Sequence, residues 1–96
     1  MYATLLTLNI GPDMRPVGEK TADQFYSIMK TLKGFKGATF FGDVASGDYN
    51  TLVLWESKED AEAASSVTAP KLQEALGNVL KAPPIRKIFE VYEPKG

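Results

Sequence analysis

Apolar residues recur along this chain with two different periods. From Tyr2 to Ile10 they are aliphatic and β-branched, and Gly11-Pro12 stops the run, which predicts a first strand. Gly11 to Gly18 holds two prolines and two glycines and reads as a loop. Ala22, Phe25, Ile28, Met29 and Leu32 then share one face at helical spacing, which predicts a helix from Glu19 to Lys33. Thr21 and Gln24 have capping-box spacing, and Gly34 stands where a left-handed C-cap is needed.

Ala38 to Val44 and Tyr49 to Glu56 read as two further strands. Ser46-Gly47-Asp48 between them is turn chemistry, so the two should form an antiparallel hairpin. Ser57 caps the next helix, and Asp60 places a carboxylate near the positive end of its dipole. Lys58 to Val67 is alanine-rich. Thr68-Ala69-Pro70 is expected to break this helix and to start another, because proline is tolerated in a first turn. The second stretch takes Leu72, Ala75, Leu76, Val79 and Leu80 as its apolar face. Pro83-Pro84 ends it, and Ile85 to Tyr92 is the last strand. The order is strand–helix–strand–strand–helix–strand, in one α+β domain over residues 1–96.

The strands carry apolar side chains on both faces. The first gives Tyr2, Thr4, Leu6, Leu8 and Ile10 on one side and Ala3, Leu5, Thr7 and Asn9 on the other. The third gives Tyr49, Thr51, Val53 and Trp55 against Asn50, Leu52, Leu54 and Glu56. Two helices cover one face of a four-stranded sheet, and a wet second face should alternate more cleanly. The second face is therefore expected to meet the same face of a second copy, as a homodimer.

Composition narrows the chemistry. The net charge is −1, with acidic and basic residues spread along 96 positions, so no basic face suited to nucleic acid is expected. The chain has no cysteine and no histidine. The usual ligands of zinc, copper and haem iron are missing, and so is the usual base near neutral pH. No metal and no cofactor are expected. The N-terminus lacks a basic region and its apolar run is short and broken by threonine. That predicts neither a signal peptide nor a membrane span, and a cytoplasmic location.

The stretch Leu52-Val53-Leu54-Trp55-Glu56-Ser57-Lys58-Glu59-Asp60-Ala61 resembles the antibiotic biosynthesis monooxygenase family. The likeness runs along nearly the whole chain. It includes a Gly-rich turn after the first helix (Leu32 to Gly37), a central strand ending Trp-Glu-Ser, and an alanine-rich helix starting Glu-Asp-Ala. The resemblance implies a ferredoxin-like βαββαβ fold with a four-stranded antiparallel sheet, paired into a dimeric α/β barrel. It also implies a cavity between each sheet and its own helices. Some members resemble cofactor-free monooxygenases that oxidise aromatic phenols with O₂. Others degrade haem and need a histidine, which excludes that activity here. The oxygenases' strand tryptophan matches Trp55. Their asparagine, four residues earlier, falls on Thr51, and Asn50 is one place away, on the opposite face.

Six residues are pocket candidates. Trp55 reads either as a pocket indole that donates a hydrogen bond or as a core aromatic. Thr51 and Tyr49 share its face and could bind a phenolic oxygen, or serve only as good strand formers. Asn9 could face the cavity or satisfy a loop amide before Gly11-Pro12. Tyr26 borders the apolar stripe of the first helix and could reach the pocket or the dimer rim. Arg86 could hold an anionic substrate or be a solvated group. Three functions follow: a cofactor-independent monooxygenase on a small aromatic or enolisable substrate, a non-catalytic small-ligand or regulatory dimer, or a structural module with a plugged pocket. No general base is identified.

Overall fold

Tyr2–Asn9 form β1, the strand from which the sheet grows in both directions. The computed structural model describes residues 1–96. It orders the other elements as α1 (Arg15–Met29), β2 (Phe35–Asp43), β3 (Asp48–Trp55), α2 (Lys58–Leu76) and β4 (Ile85–Glu90). The sheet runs β2-β3-β1-β4, and every pairing is antiparallel. This is the ferredoxin-like βαββαβ arrangement expected from the sequence.

The register sets which side chains share a face. Tyr2 lies opposite Trp55, Thr4 opposite Val53, Leu6 opposite Thr51 and Leu8 opposite Tyr49. On β4, Ile88 pairs with Thr4 and Arg86 with Leu6. Both helices pack on this side. Leu6, Ile10, Val53 and Trp55 from the sheet meet Phe25 and Met29 of α1 and Ala61, Ala64, Leu72 and Leu76 of α2. Burying one such large side chain contributes about 1.5–3 kcal/mol, so this one cluster dominates the stability of a small domain.

The opposite face carries Leu5, Leu52 and Leu54, all half-buried, with Phe41, Ile85 and Phe89 exposed. Nothing in the chain covers it. A β-bulge separates Phe35 from Gly37. Lys36 is the extra residue, and its ammonium pairs with Glu56 at 2.6 Å.

Both helices depart from the sequence expectation. α1 begins at Arg15 rather than Glu19, and its cap residue is Met14, not Thr21. Pro16 lies in the first turn, where its missing N–H has no partner to lose, so the supposed loop shrinks to Gly11–Met14. α1 also ends early, at Met29. The chain tightens there through Thr31 N–H to Ile28 O and Leu32 N–H to Met29 O. Gly34 does adopt a left-handed φ of +82°, but in the turn into β2 rather than as the helix cap.

The expected break at Thr68-Ala69-Pro70 is absent, and α2 runs through Pro70 as one helix. The reason is the buried stripe Ala61, Ala64, Thr68, Leu72 and Leu76, whose 3–4 spacing continues across the proline. Packing of that stripe offsets the cost of an interior proline, about 3 kcal/mol. Ser57 caps α2 as expected, its hydroxyl accepting from Asp60 N–H at 3.1 Å. Ala75 is exposed, and Val79 and Leu80 lie beyond the helix end. No helix is long and apolar enough to cross a membrane.

Candidate functional site

Between the helix-facing side of the sheet and the two helices lies a cavity of about 90 Å³. β1 and β3 supply its floor through Thr4, Leu6, Leu8, Thr51, Val53 and Trp55, and Phe25, Met29, Ala61 and Ala64 close it from above. Small residues at the start of α2 leave the space over Trp55. Because α2 follows β3 directly, Ala61 and Ala64 pass over the strand's end before larger side chains arrive.

The wall is mostly apolar, but three polar atoms in it are fully buried without a hydrogen-bond partner. They are Thr4 Oγ1, Tyr49 Oη and Trp55 Nε1. Trp55 is only 2% exposed and Thr4 7%. A buried polar group left unpaired costs about 1–3 kcal/mol. Three such groups on one cavity wall are a concentrated penalty. A ligand carrying oxygen atoms would relieve it. An indole N–H only donates, whereas the two hydroxyls can donate or accept, so Trp55 asks for an acceptor.

Arg86 adds charge. It lies opposite Leu6 on the same face, is half-buried and borders the cavity. Burial pushes its guanidinium below the usual arginine value. The chain's two ion pairs, Arg15–Glu19 and Lys36–Glu56, leave it out. A guanidinium stays protonated in proteins, so the site holds an uncompensated positive charge. No carboxylate lines the cavity.

Four sequence candidates therefore meet at this cavity: Trp55, Thr51, Tyr49 and Arg86. Two do not. Asn9 turns to the loops, where its amide donates to Ser46 O and Asp48 Oδ1 and its Oδ1 accepts from Gly11 N–H. Its hydrogen-bonding capacity is spent on the chain reversal. Tyr26 is 43% exposed; its ring stands edge-on to Phe35, with Lys30 above it at 5.8 Å. Phe35 in turn stands edge-on to Trp55 at 5.8 Å, so Tyr26 supports the wall from outside. Thr4 escaped sequence reasoning as a site residue. Its signal was a lone hydroxyl in the apolar row Leu6, Leu8, Ile10. Asn50 borders the cavity at its margin, but its side chain is engaged on the far face with Thr7.

No protein-family model and no curated protein matches the sequence. Solved structures do match in fold. A Nitrosomonas europaea protein assigned to antibiotic biosynthesis monooxygenases superposes with a TM-score of 0.81 at 11% identity, over 99% of this chain and 93% of that one. The monooxygenase from the gene ActVA-Orf6 of Streptomyces coelicolor, solved with nanaomycin D, gives 0.77 at 18% identity, over 98% and 89%. SnoaB, a cofactor-independent oxygenase from Streptomyces nogalater, gives 0.74 at 12% identity, over 97% and 93%. The structural neighbours thus belong to the family that the Leu52–Ala61 stretch resembles, and the chain has their fold.

Proposed function

From a chain with the antibiotic biosynthesis monooxygenase fold, we propose a cofactor-independent oxygenase acting on a small aromatic or enolisable substrate between sheet and helices. The observation that carries this reading is the unpaired trio Thr4, Tyr49 and Trp55 in an otherwise apolar cavity beside the unpaired cation Arg86. Nanaomycin D bound to one structural neighbour and the cofactor-independent oxygenase among the others support it.

The chemistry asks little of the protein. A ring methylene beside a phenol or ketone ionises to an electron-rich anion, and that anion gives up electrons to O₂. One oxygen atom enters the ring as a carbonyl. The other leaves as water with the two methylene hydrogens, so the substrate supplies all four electrons. Arg86 and the Trp55 N–H would stabilise the developing anion in a site of low dielectric. The apolar wall would exclude water. With no carboxylate in the cavity, the substrate would lose its first proton to solvent before it enters, so its own acidity sets the pH dependence.

The chain would act as a homodimer through the Leu52, Leu54 and Phe89 face. An alternative reading, a non-catalytic small-ligand or regulatory dimer, is favoured by Thr51 in place of the oxygenases' asparagine. Oxygen-electrode assays with anthrones, and with naphthols through their keto tautomers, separate the two. Uptake above the buffer rate supports the oxygenase. Saturable binding without uptake for every bound compound supports the alternative.

A further inference from the structure

Tyr49 is held by two glycines. A Cβ on Gly18 of α1 would stand 3.1 Å from the ring's Cε1 and 3.3 Å from Cζ. A Cβ on Gly42, the cross-strand partner of Tyr49 on β2, would stand 2.6 Å from its Cδ1 and 2.6 Å from the Asp48 carbonyl oxygen, so the backbone as well as the ring keeps this position free. Glycine is a poor choice inside a helix or a strand, yet both positions carry it, and both free the same space. The ring fills that slot. Its hydroxyl ends buried in the cavity wall with no partner.

The other polar end of the cavity's far half is Arg86. The register puts Tyr49 opposite Leu8 and Arg86 opposite Leu6, two strands away. Strand geometry places their Cα atoms about 12 Å apart, and both residues line the one cavity. At about 90 Å³ the cavity is well below the roughly 300–1,000 Å³ usual for ligand pockets. It suits one or two fused rings better than three or four.

Resting on the oxygenase or ligand-binding reading above, we infer that the cavity selects a one- or two-ring aromatic with two oxygen functions. One is anionic, a carboxylate or phenolate, and is held by Arg86. The other is a hydroxyl or carbonyl, and Tyr49 Oη binds it. Tyr49 is thus the residue that sets specificity, and Gly18 and Gly42 are the positions that place it. The hydroxyl makes no bond within the chain, so removing it leaves the fold intact.

Calorimetric titrations of the full chain test this with naphthoate, hydroxynaphthoate and anthracenecarboxylate. The wild type should bind hydroxynaphthoate about tenfold more tightly than naphthoate, the worth of one hydrogen bond to a buried donor. Tyr49→Phe should close that gap and leave naphthoate affinity within about twofold. Arg86→Gln should weaken both acids by about tenfold or more. Anthracenecarboxylate should bind more weakly than naphthoate. Dihydroxynaphthalene, titrated below and above the phenol pKa of about 10, identifies the anion. Binding only above it assigns a phenolate, and no binding on either side beside tight hydroxynaphthoate assigns a carboxylate. A gap that survives in Tyr49→Phe, no binding by any acid or by dihydroxynaphthalene, or equal dihydroxynaphthalene binding on both sides of that pKa overturns the inference. Hydroxynaphthoate binding through Tyr49 without O₂ uptake by any compound sinks the oxygenase and leaves the inference standing. Uptake with three-ring anthrones that Tyr49→Phe does not alter does the reverse.

Discussion

Thr7 Oγ1 donates a 2.9 Å hydrogen bond to Asn50 Oδ1 across the β1–β3 pair. The bond fixes the Asn50 amide on the sheet face away from the helices, while Thr51 faces the cavity in its place. Asn50→Ala should therefore leave ligand affinity and any O₂ uptake within about twofold. It should lower stability by about 1 kcal/mol, the usual net worth of such a bond. A thermal melt beside a ligand titration checks both. A large loss of binding would return Asn50 to the site.

Trp55→Phe separates binding from folding. Phenylalanine keeps most of the apolar area and removes the N–H that has no partner in the free protein. Ligand affinity should fall about tenfold, by about 1.4 kcal/mol. Stability should fall by less than the usual cost of shrinking a core aromatic, because an unsatisfied donor goes too. Titration calorimetry and denaturant melts measure the two effects, and an equal drop in both would make Trp55 a packing residue only.

Pro70 is exposed on α2 and cannot donate to the carbonyl of Ser66 one turn before it. Pro70→Ala restores that donor. It should raise stability by about 1–3 kcal/mol, roughly 4–8 °C in Tm per kcal/mol for a domain this size. An unchanged Tm would mean that the surrounding turn has already adapted to the ring.

The uncovered face predicts assembly. Sedimentation equilibrium should give a dimer at micromolar concentration, and Leu54→Lys, which places a charge among Leu5, Leu52 and Phe89, should give a monomer. A wild-type monomer would leave these side chains exposed to water and remove the proposed dimer.

The Lys36–Glu56 pair predicts a pH signature. The bond to Lys36 and its charge hold the Glu56 carboxyl below its ordinary 4.5, and Glu56 holds the ammonium above its ordinary 10.5. The pair's contribution is therefore complete between those two values. It is lost as pH falls through the lowered carboxyl pKa or rises through the raised ammonium pKa. Both groups are open to solvent, so the effect is small and salt-sensitive. The Tm difference between wild type and Lys36→Met should be flat across neutral pH and shrink in strong acid and in high salt.

The fold was legible where local chemistry and packing agree. Ser57 and Asp60 mark the start of α2, and Ser46-Gly47-Asp48 marks the hairpin. The strand alternation places Trp55, Thr51 and Tyr49 on the face with Leu6 and Leu8. Legibility failed where packing overrides a local breaker. Pro70 reads as an end, yet the stripe through Thr68 and Leu72 carries the helix past it. Pro16 and Gly18 read as a loop, although one fits a first turn and the other makes room for Tyr49. The site was half legible. Alternation shows which face a residue occupies, but not whether its polar atom finds a partner. Thr4 therefore stayed hidden among its apolar neighbours, and Asn9 stayed a candidate until its loop bonds were seen.

The buried stripe of α2 is graded in size, with Ala61 and Ala64 near the start of the helix and Leu72 and Leu76 near its end. This grading limits how the protein can diverge. Over Trp55 the helix already carries nearly the smallest side chains available, so little more volume can be gained there without a glycine that weakens the helix. At the other end each leucine has several carbons to lose. A descendant adapting to a bulkier molecule would thus grow its cavity toward Tyr49 and Arg86, and the Trp55 end would stay constant while specificity drifts.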